Sequence, residues 1–247
     1  PAGLAPAVKA PSGAFTSFKQ PATSWQKASY SFFSTMPTLH IGASATLARY
    51  VLPRLLADFR ARHPAVAVAL HPANSAQVAQ ALLRGELALG FVEGPERLPG
   101  LRYERLLFDE LVAVRGATPA GPPAAPLALP EALGHPWALR EPGSGTLAVV
   151  EAALLTHGVR LADLPAPRYF TGNEALKAHL LATPGALGFL SRRALMAELV
   201  SGQLEEIPIR GLYLARPLAA AWRTGEVLPL AAQQFIRLCD LSCDCLS

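Results

Sequence analysis

The sequence predicts an α/β fold: two Rossmann-like lobes joined by two crossover segments, with a ligand cleft between them. Short, nearly all-apolar runs alternate with stretches of helical spacing, the rhythm of parallel strands linked by helices. Two stretches, Leu39 to Thr46 and Trp137 to Thr146, each pass from a strand through a Gly- and Ser-bearing turn into a helix. The predicted strands end in hydroxyls, amides and glycines, the residue types that line ligand sites in open α/β sheets.

Leu39-His40-Ile41 opens a strand, Gly42 to Thr46 turns, and Leu47, Val51, Leu55 and Phe59 mark one face of a helix. His63-Pro64 ends that helix, because proline disfavours helical geometry in the residue before it. Val66 to Leu70 reads as a second strand. Asn74-Ser75 caps a helix running through Val78 and Leu82 to Gly85. Leu87 to Val92 is a third strand, apolar throughout as doubly buried strands are. Leu101 to Leu107 and Glu110 to Val114 read as two further strands, and 116–130 as a loop. A second strand-helix set follows: Trp137 to Arg140, a helix from Leu147, a strand near Arg168 to Phe170, a helix from Asn173, a strand at Ala186 to Leu190, and a helix from Ser191 to Val200. Strands at Leu204 to Ile207 and Leu212 to Leu214, then a helix from Val227 to Leu238, close the pattern. These elements divide the chain into a first lobe (38–107 plus 208–238) and a second lobe (108–207). The chain is expected to cross between them near Phe108 and again near Glu206. Residues 1–37 read as a disordered leader or a segment foreign to the domain, and 239–247 as a tail.

The chain has 247 residues, 51% hydrophobic and 16% charged, with a net charge of +4. Its Arg and Lys are scattered singly, as at Arg54, Arg84 and Arg102, rather than gathered into a nucleic-acid-binding face. Cys239, Cys243 and Cys245 stand near the end with no His beside them, which predicts neither a disulfide framework nor a metal site. No G-x-G-x-x-G phosphate loop occurs, and no cofactor is expected. No apolar run predicts a membrane span, and no secretory signal order is visible.

Ser44, Thr46, Ser75, Ser144 and Thr146 fall at predicted helix N-termini, where unpaired amides and the helix dipole favour an anion. Each alone is an ordinary cap; their convergence on one cleft is the informative feature. Gly42-Ala43-Ser44 also resembles half of a nucleophile elbow, but Thr46 replaces the second glycine. His157 and His179 fall in predicted helices rather than in the loop that a serine hydrolase would need.

The ordered set Leu39 to Thr46, Leu52-Pro53, Phe59 to Pro64, Asn74-Ser75, Leu83 to Gly94, Asp109 to Val114, Trp137 to Thr146, Gly172 to Lys177, Gly188 to Ser191 and Leu204 to Arg216 resembles the effector-binding domain of LysR-type transcriptional regulators. The resemblance implies the fold of type 2 periplasmic binding proteins, a small-molecule effector between the lobes, a homodimer through this domain, no enzymatic activity and a cytoplasmic location. It places Ser44, Thr46, Asn74, Ser75 and Glu93 of one lobe, and Arg140, Glu141, Gly143, Ser144, Gly145, Thr146 and Asn173 of the other, around the ligand. The Glu93-Gly94 and Arg140 to Thr146 runs are most similar to a subgroup linked to sulfur or nitrogen oxyanions and related metabolites. Leu147 stands where that subgroup often carries Arg, which points away from a strongly anionic ligand. The family's helix-turn-helix is expected to lie outside this chain, so DNA would be a partner only of the parent protein. A transport-type solute-binding protein, which shares the fold, is the alternative.

Overall fold

The computed structural model describes residues 38–117 and 125–243. The expected leader and the last residues, with Cys245, lie outside them. The first strand, β1 (Thr38–Ala43), pairs in parallel with β2 (Ala67–Pro72) on one side and β3 (Leu89–Glu93) on the other. Between β1 and β2 the chain turns helical at Ala45, passes through one wide π turn (Leu47–Val51) and continues as α1 (Leu52–Arg62). Pro53 explains the widening: it carries no N–H and is tolerated only in a first helical turn. Leu52 N–H accordingly bonds back to Leu47 O. Leu47, Val51, Leu55 and Phe59 are all buried, so the apolar face read from the sequence survives the defect.

Helix α2 (Ser75–Leu83) begins with a reciprocal capping box. Asn74 Oδ1 accepts Gln77 N–H at 2.9 Å, and Gln77 Oε1 accepts Asn74 N–H at 3.1 Å. Val78 and Leu82 are fully buried against Leu87, Leu101 and Ala221.

The centre of the sheet differs from the sequence reading. One continuous strand, β4 (Leu101–Gly116), replaces the two expected strands, and it runs antiparallel to β9 (Leu214–Arg223) from Leu101↔Arg223 to Leu111↔Leu214. A register shift between Arg105 and Leu107 is where a bulge adds local twist. Most of β9 is missing from the sequence reading. Leu218-Ala219-Ala220-Ala221 is alanine-rich and favours helix intrinsically, but it lies between β3 and β4 with all four residues buried.

Beyond β4 come α3 (Leu129–Ala132), β5 (Trp137–Arg140), α4 (Gly145–Thr156), β6 (Arg168–Phe170), α5 (Asn173–Ala182), β7 (Leu187–Ser191), α6 (Arg192–Val200) and β8 (Leu204–Glu206). Strand β5 is parallel to both β6 and β7, and the sheet order is β2-β1-β3-β9-β4-β7-β5-β6, with β8 on β4. Helix α7 (Leu230–Cys243) returns to the first half. It starts after Pro229, later than expected, and it continues through Cys239, which is buried beside Phe235 and Ile236 rather than in a tail.

Separate cores fix where the chain crosses. Leu107 and Leu218 belong to the first half's core, whereas Leu111, Leu214, Ile207 and Ile209 belong to the second's. Strand β4 therefore passes from the first core to the second between Leu107 and Leu111. The return is at Arg216-Pro217 in β9, not near Glu206, and 208–214 pack with the second half. No helix among the described residues is long and apolar enough to cross a membrane.

Candidate functional site

The carboxyl ends of β1, β2, β3, β5 and β6 and the crossing points of β4 and β9 all face one region. Buried there are Ser44, Thr46, Ser75, Glu93, Arg140, Ser144, Thr146 and Asn173, joined by Asp109, Ser191 and Arg216, which the sequence reading does not single out.

Arg216 is the hub, with 0% exposure. Its Nε donates to Asp109 Oδ2 at 2.9 Å, one terminal nitrogen to Thr146 Oγ1 at 2.8 Å, and the other to Thr46 Oγ1 at 3.3 Å. The last nitrogen also forms ion pairs with Asp109 and Glu93. Asp109 Oδ1 accepts from Ser191 Oγ at 2.8 Å. Thr46 stands in the first helical turn after β1 and Thr146 in that of α4, so one guanidinium ties helix N-termini from opposite halves.

Arg140 anchors a second part. Its Nε and a terminal nitrogen grip Glu141 at 2.8 and 3.0 Å, and the other terminal nitrogen donates to Asn173 Oδ1. Asn173 Nδ2 lies 3.5 Å from Thr46 Oγ1, linking this part to the first. Glu141 also accepts the Gly172 N–H at 3.3 Å, which holds the start of α5.

The remaining expected residues serve local geometry. Ser44 Oγ caps Leu47 N–H and Ser144 Oγ caps Thr146 N–H. Ser75 Oγ lies 3.1 Å from both the N–H and the carbonyl of Glu93. Gly143 and Gly145 let the halves touch. Gly143 O accepts Ala76 N–H at 3.1 Å, and Asn74 Nδ2 donates to Pro142 O at 3.4 Å.

Across the other flank of the cleft, Tyr50 OH donates to Glu174 Oε1 at 2.8 Å, and Lys177 bridges Glu174 and Glu198 at 3.1 and 2.8 Å. Burial pulls the Glu174 carboxyl upward, but hydrogen bonds from Tyr50 and Lys177 outweigh it and leave it below its ordinary range. Burial opposes the Lys177 charge too, yet its bonds to Glu198 and Glu174 hold its pKa above the usual lysine value. This flank is thus an ionised polar latch.

Among the described residues no cluster of three or more His, Cys, Asp or Glu has the arrangement of a metal site. His157 bonds Gly211 O at 3.1 Å and His179 lies 3.3 Å from Thr183 Oγ1, so both histidines are engaged away from Ser44. Other cavities lie outside the cleft. One of about 630 Å³ is lined by Pro53, Leu56, Arg60 and Val68, and one of about 190 Å³ by Arg192, Glu206 and Tyr213.

The family model described as the LysR substrate binding domain matches residues 34–243. The chain is 36% identical over 201 residues to the phosphonates import ATP-binding protein PhnC of Anaeromyxobacter dehalogenans (strain 2CP-C), covering 81% of this chain and 40% of that protein. It is 34% identical over 203 residues to the HTH-type transcriptional regulator YeiE of Escherichia coli (strain K12), covering 82% of this chain and 67% of that protein. The chain thus spans between two fifths and two thirds of the length of these relatives. In fold it is similar to the regulatory domain of Synechocystis PCC6803 CcmR, solved in complex with 2-PG: TM-score 0.71, 24% identity, 83% of this chain and 97% of that one.

Proposed function

The chain belongs to the LysR substrate-binding domain family, the effector-binding regulatory part of LysR-type transcriptional regulators, and from that premise we propose how it senses its effector. A small molecule binds between the halves, against Thr46 and the helix after β1 on one side and Thr146 and α4 on the other. The carrying observation is that Thr46 and Thr146 share Arg216. Ser44, Asn74, Ser75, Glu93, Arg140, Glu141, Gly143, Ser144, Gly145 and Asn173 complete the site. The relative named for phosphonates import supports a small anion as the effector. Two lobes pivoting where β4 and β9 cross, near Phe108 and Pro217, carry the response.

The test is a thermal-shift panel of small oxyanions and hydroxy acids on the purified chain. A ligand specific for the folded state, at about 100 times its Kd, adds about 2.7 kcal/mol. For whichever compound binds, Thr46→Ala is expected to weaken affinity by about 0.5–1.5 kcal/mol, one lost hydrogen bond. Calorimetry showing unchanged affinity in both Thr46→Ala and Ser44→Ala would place the site elsewhere.

The domain acts as a sensor, not a catalyst: Ser44 is spent on a helix cap, and His157 and His179 are committed elsewhere. The parent protein binds DNA through a separate helix-turn-helix in the cytoplasm, and the sensing domains pair as a homodimer. Met196 and Val200 on the outer side of α6 are 59% and 83% exposed, which suits a covered face in a dimer. Light scattering at tens of micromolar should give twice the chain mass; a monomer mass would refute the pairing.

A further inference from the structure

We infer that the effector is a small oxyanion that retains an O–H, and that Glu93 selects it by accepting that hydrogen. This rests on the cleft being the effector site.

Glu93 ends β3 with 4% exposure, and its Oε2 touches Arg216 but makes no well-formed hydrogen bond. The Arg216 nitrogen it touches also donates to Thr46 Oγ1 at 3.3 Å. On the other side lies the start of α4: a Cβ built on Gly145 would stand 2.7 Å from Glu93 Cγ. The carboxylate therefore sits among a guanidinium, a threonine hydroxyl and the first turn of a helix, the groups that otherwise attract anions.

An acceptor in that position discriminates. Helix amides and threonine hydroxyls bind any oxyanion, whereas an ionised carboxylate has only lone pairs to offer. It repels a fully ionised ligand oxygen and bonds an acidic hydroxyl. The charge balance points the same way. Buried Arg140 and Arg216 face Glu93, Asp109 and Glu141, and both guanidinium groups are already committed to those carboxylates, to Asn173 and to the two threonines. A doubly charged ligand without hydrogen, such as sulfate, adds repulsion at Glu93. A hydrogen-bearing phosphorus oxyacid turns the same contact into a hydrogen bond.

The experiment is calorimetric titration of the full chain with inorganic phosphate and with sulfate at neutral pH, repeated on Glu93→Gln. Phosphate should bind at least about tenfold more tightly than sulfate, the scale set by leaving one buried acceptor unpaired. The amide introduced by Glu93→Gln can donate, so the variant should lose that preference or reverse it while keeping its circular dichroism. Equal affinities in the native chain, or an unchanged ratio in the variant, would overturn the selection. If neither anion binds, the inference fails alone; the cleft reading fails with it only when a panel of neutral and zwitterionic metabolites also leaves the melting temperature unmoved.

Discussion

Replacing Arg216 by methionine is expected to destabilise the fold by about 3–5 kcal/mol, the cost of removing one partner from a buried ion pair. The size follows from what remains. Glu93 and Asp109 are 4% and 3% exposed, and without the guanidinium they lose their closest positive charge in a medium that solvates them poorly. Thr46 and Thr146 lose a donor as well. In a domain of this size the loss corresponds to a fall of roughly 6–20 °C in melting temperature. The cause is separable from lost packing, since methionine replaces much of the aliphatic stem. Adding Glu93→Gln and Asp109→Asn to Arg216→Met should recover most of the loss, because the buried charge of Glu93, and that of Asp109 with only Arg193 left at 3.6 Å, then disappear; the residues are in contact, so the effects should be far from additive. Urea unfolding with an unchanged slope would measure it. A loss below about 1 kcal/mol, the range of solvated surface pairs, would mean that water reaches these carboxylates and that the two halves do not close over them.

That Thr46 and Asn173 are singled out from the sequence and Arg216 is not has a physical reason. Residues at the ends of apolar strands, before a helical spacing begins, advertise themselves locally: Ser44, Asn74 and Ser144 are all the caps their position predicts. Asp109 and Arg216 lie inside strands, 107 positions apart, and their meeting is a product of the β4–β9 ladder. One signal was available. A charge enclosed by apolar residues, such as Asp109 of the Asp109-Glu110 pair in Leu106-Leu107-Phe108-Asp109-Glu110-Leu111, or Arg216 in Leu214-Ala215-Arg216-Pro217-Leu218, is seldom buried unless paired, so two such runs of opposite sign suggest a matched pair. The missed length of β9 has a related cause: its alanines carry helix propensity, and only burial between two other strands makes them a strand. Misplacing that strand also misplaces the return crossing, because Glu206 and Arg216 each stand beside an apolar residue, Ile207 and Ala215, and only the cores tell them apart.

Gly145→Ala is expected to abolish effector binding, by about 100-fold or more, while leaving each half folded. Gly145 is the first residue of α4 and needs no left-handed backbone, so alanine is locally favourable there. The obstacle lies across the cleft. A Cβ at this position would collide with the Glu93 carbonyl oxygen and stand 2.6 Å from its carbon. Those are main-chain atoms at the end of β3, anchored by Ser75 and by the β9 ladder, and they have no rotamer to escape into. The two halves must therefore separate, drawing Thr146 and Arg216 away from Thr46. A ligand that needs both halves then binds only the fraction of molecules still able to close, and its apparent Kd rises by the inverse of that fraction; about 1% closure gives the 100-fold loss. X-ray scattering of the variant should show a larger radius of gyration that saturating ligand does not reduce, whereas the native chain stays compact. Separation also parts Arg216 from Glu93 and Thr46, but an opened cleft gives those groups water, and the polar contacts at Ala76-Gly143 and Tyr50-Glu174 exchange for water with a net loss of only about 0.5–1.5 kcal/mol each. A Gly145→Ala variant with native affinity and a native scattering profile would show that the contact between Gly145 and Glu93 is not part of the bound state, and the effector would then have to signal by ordering loops within one half.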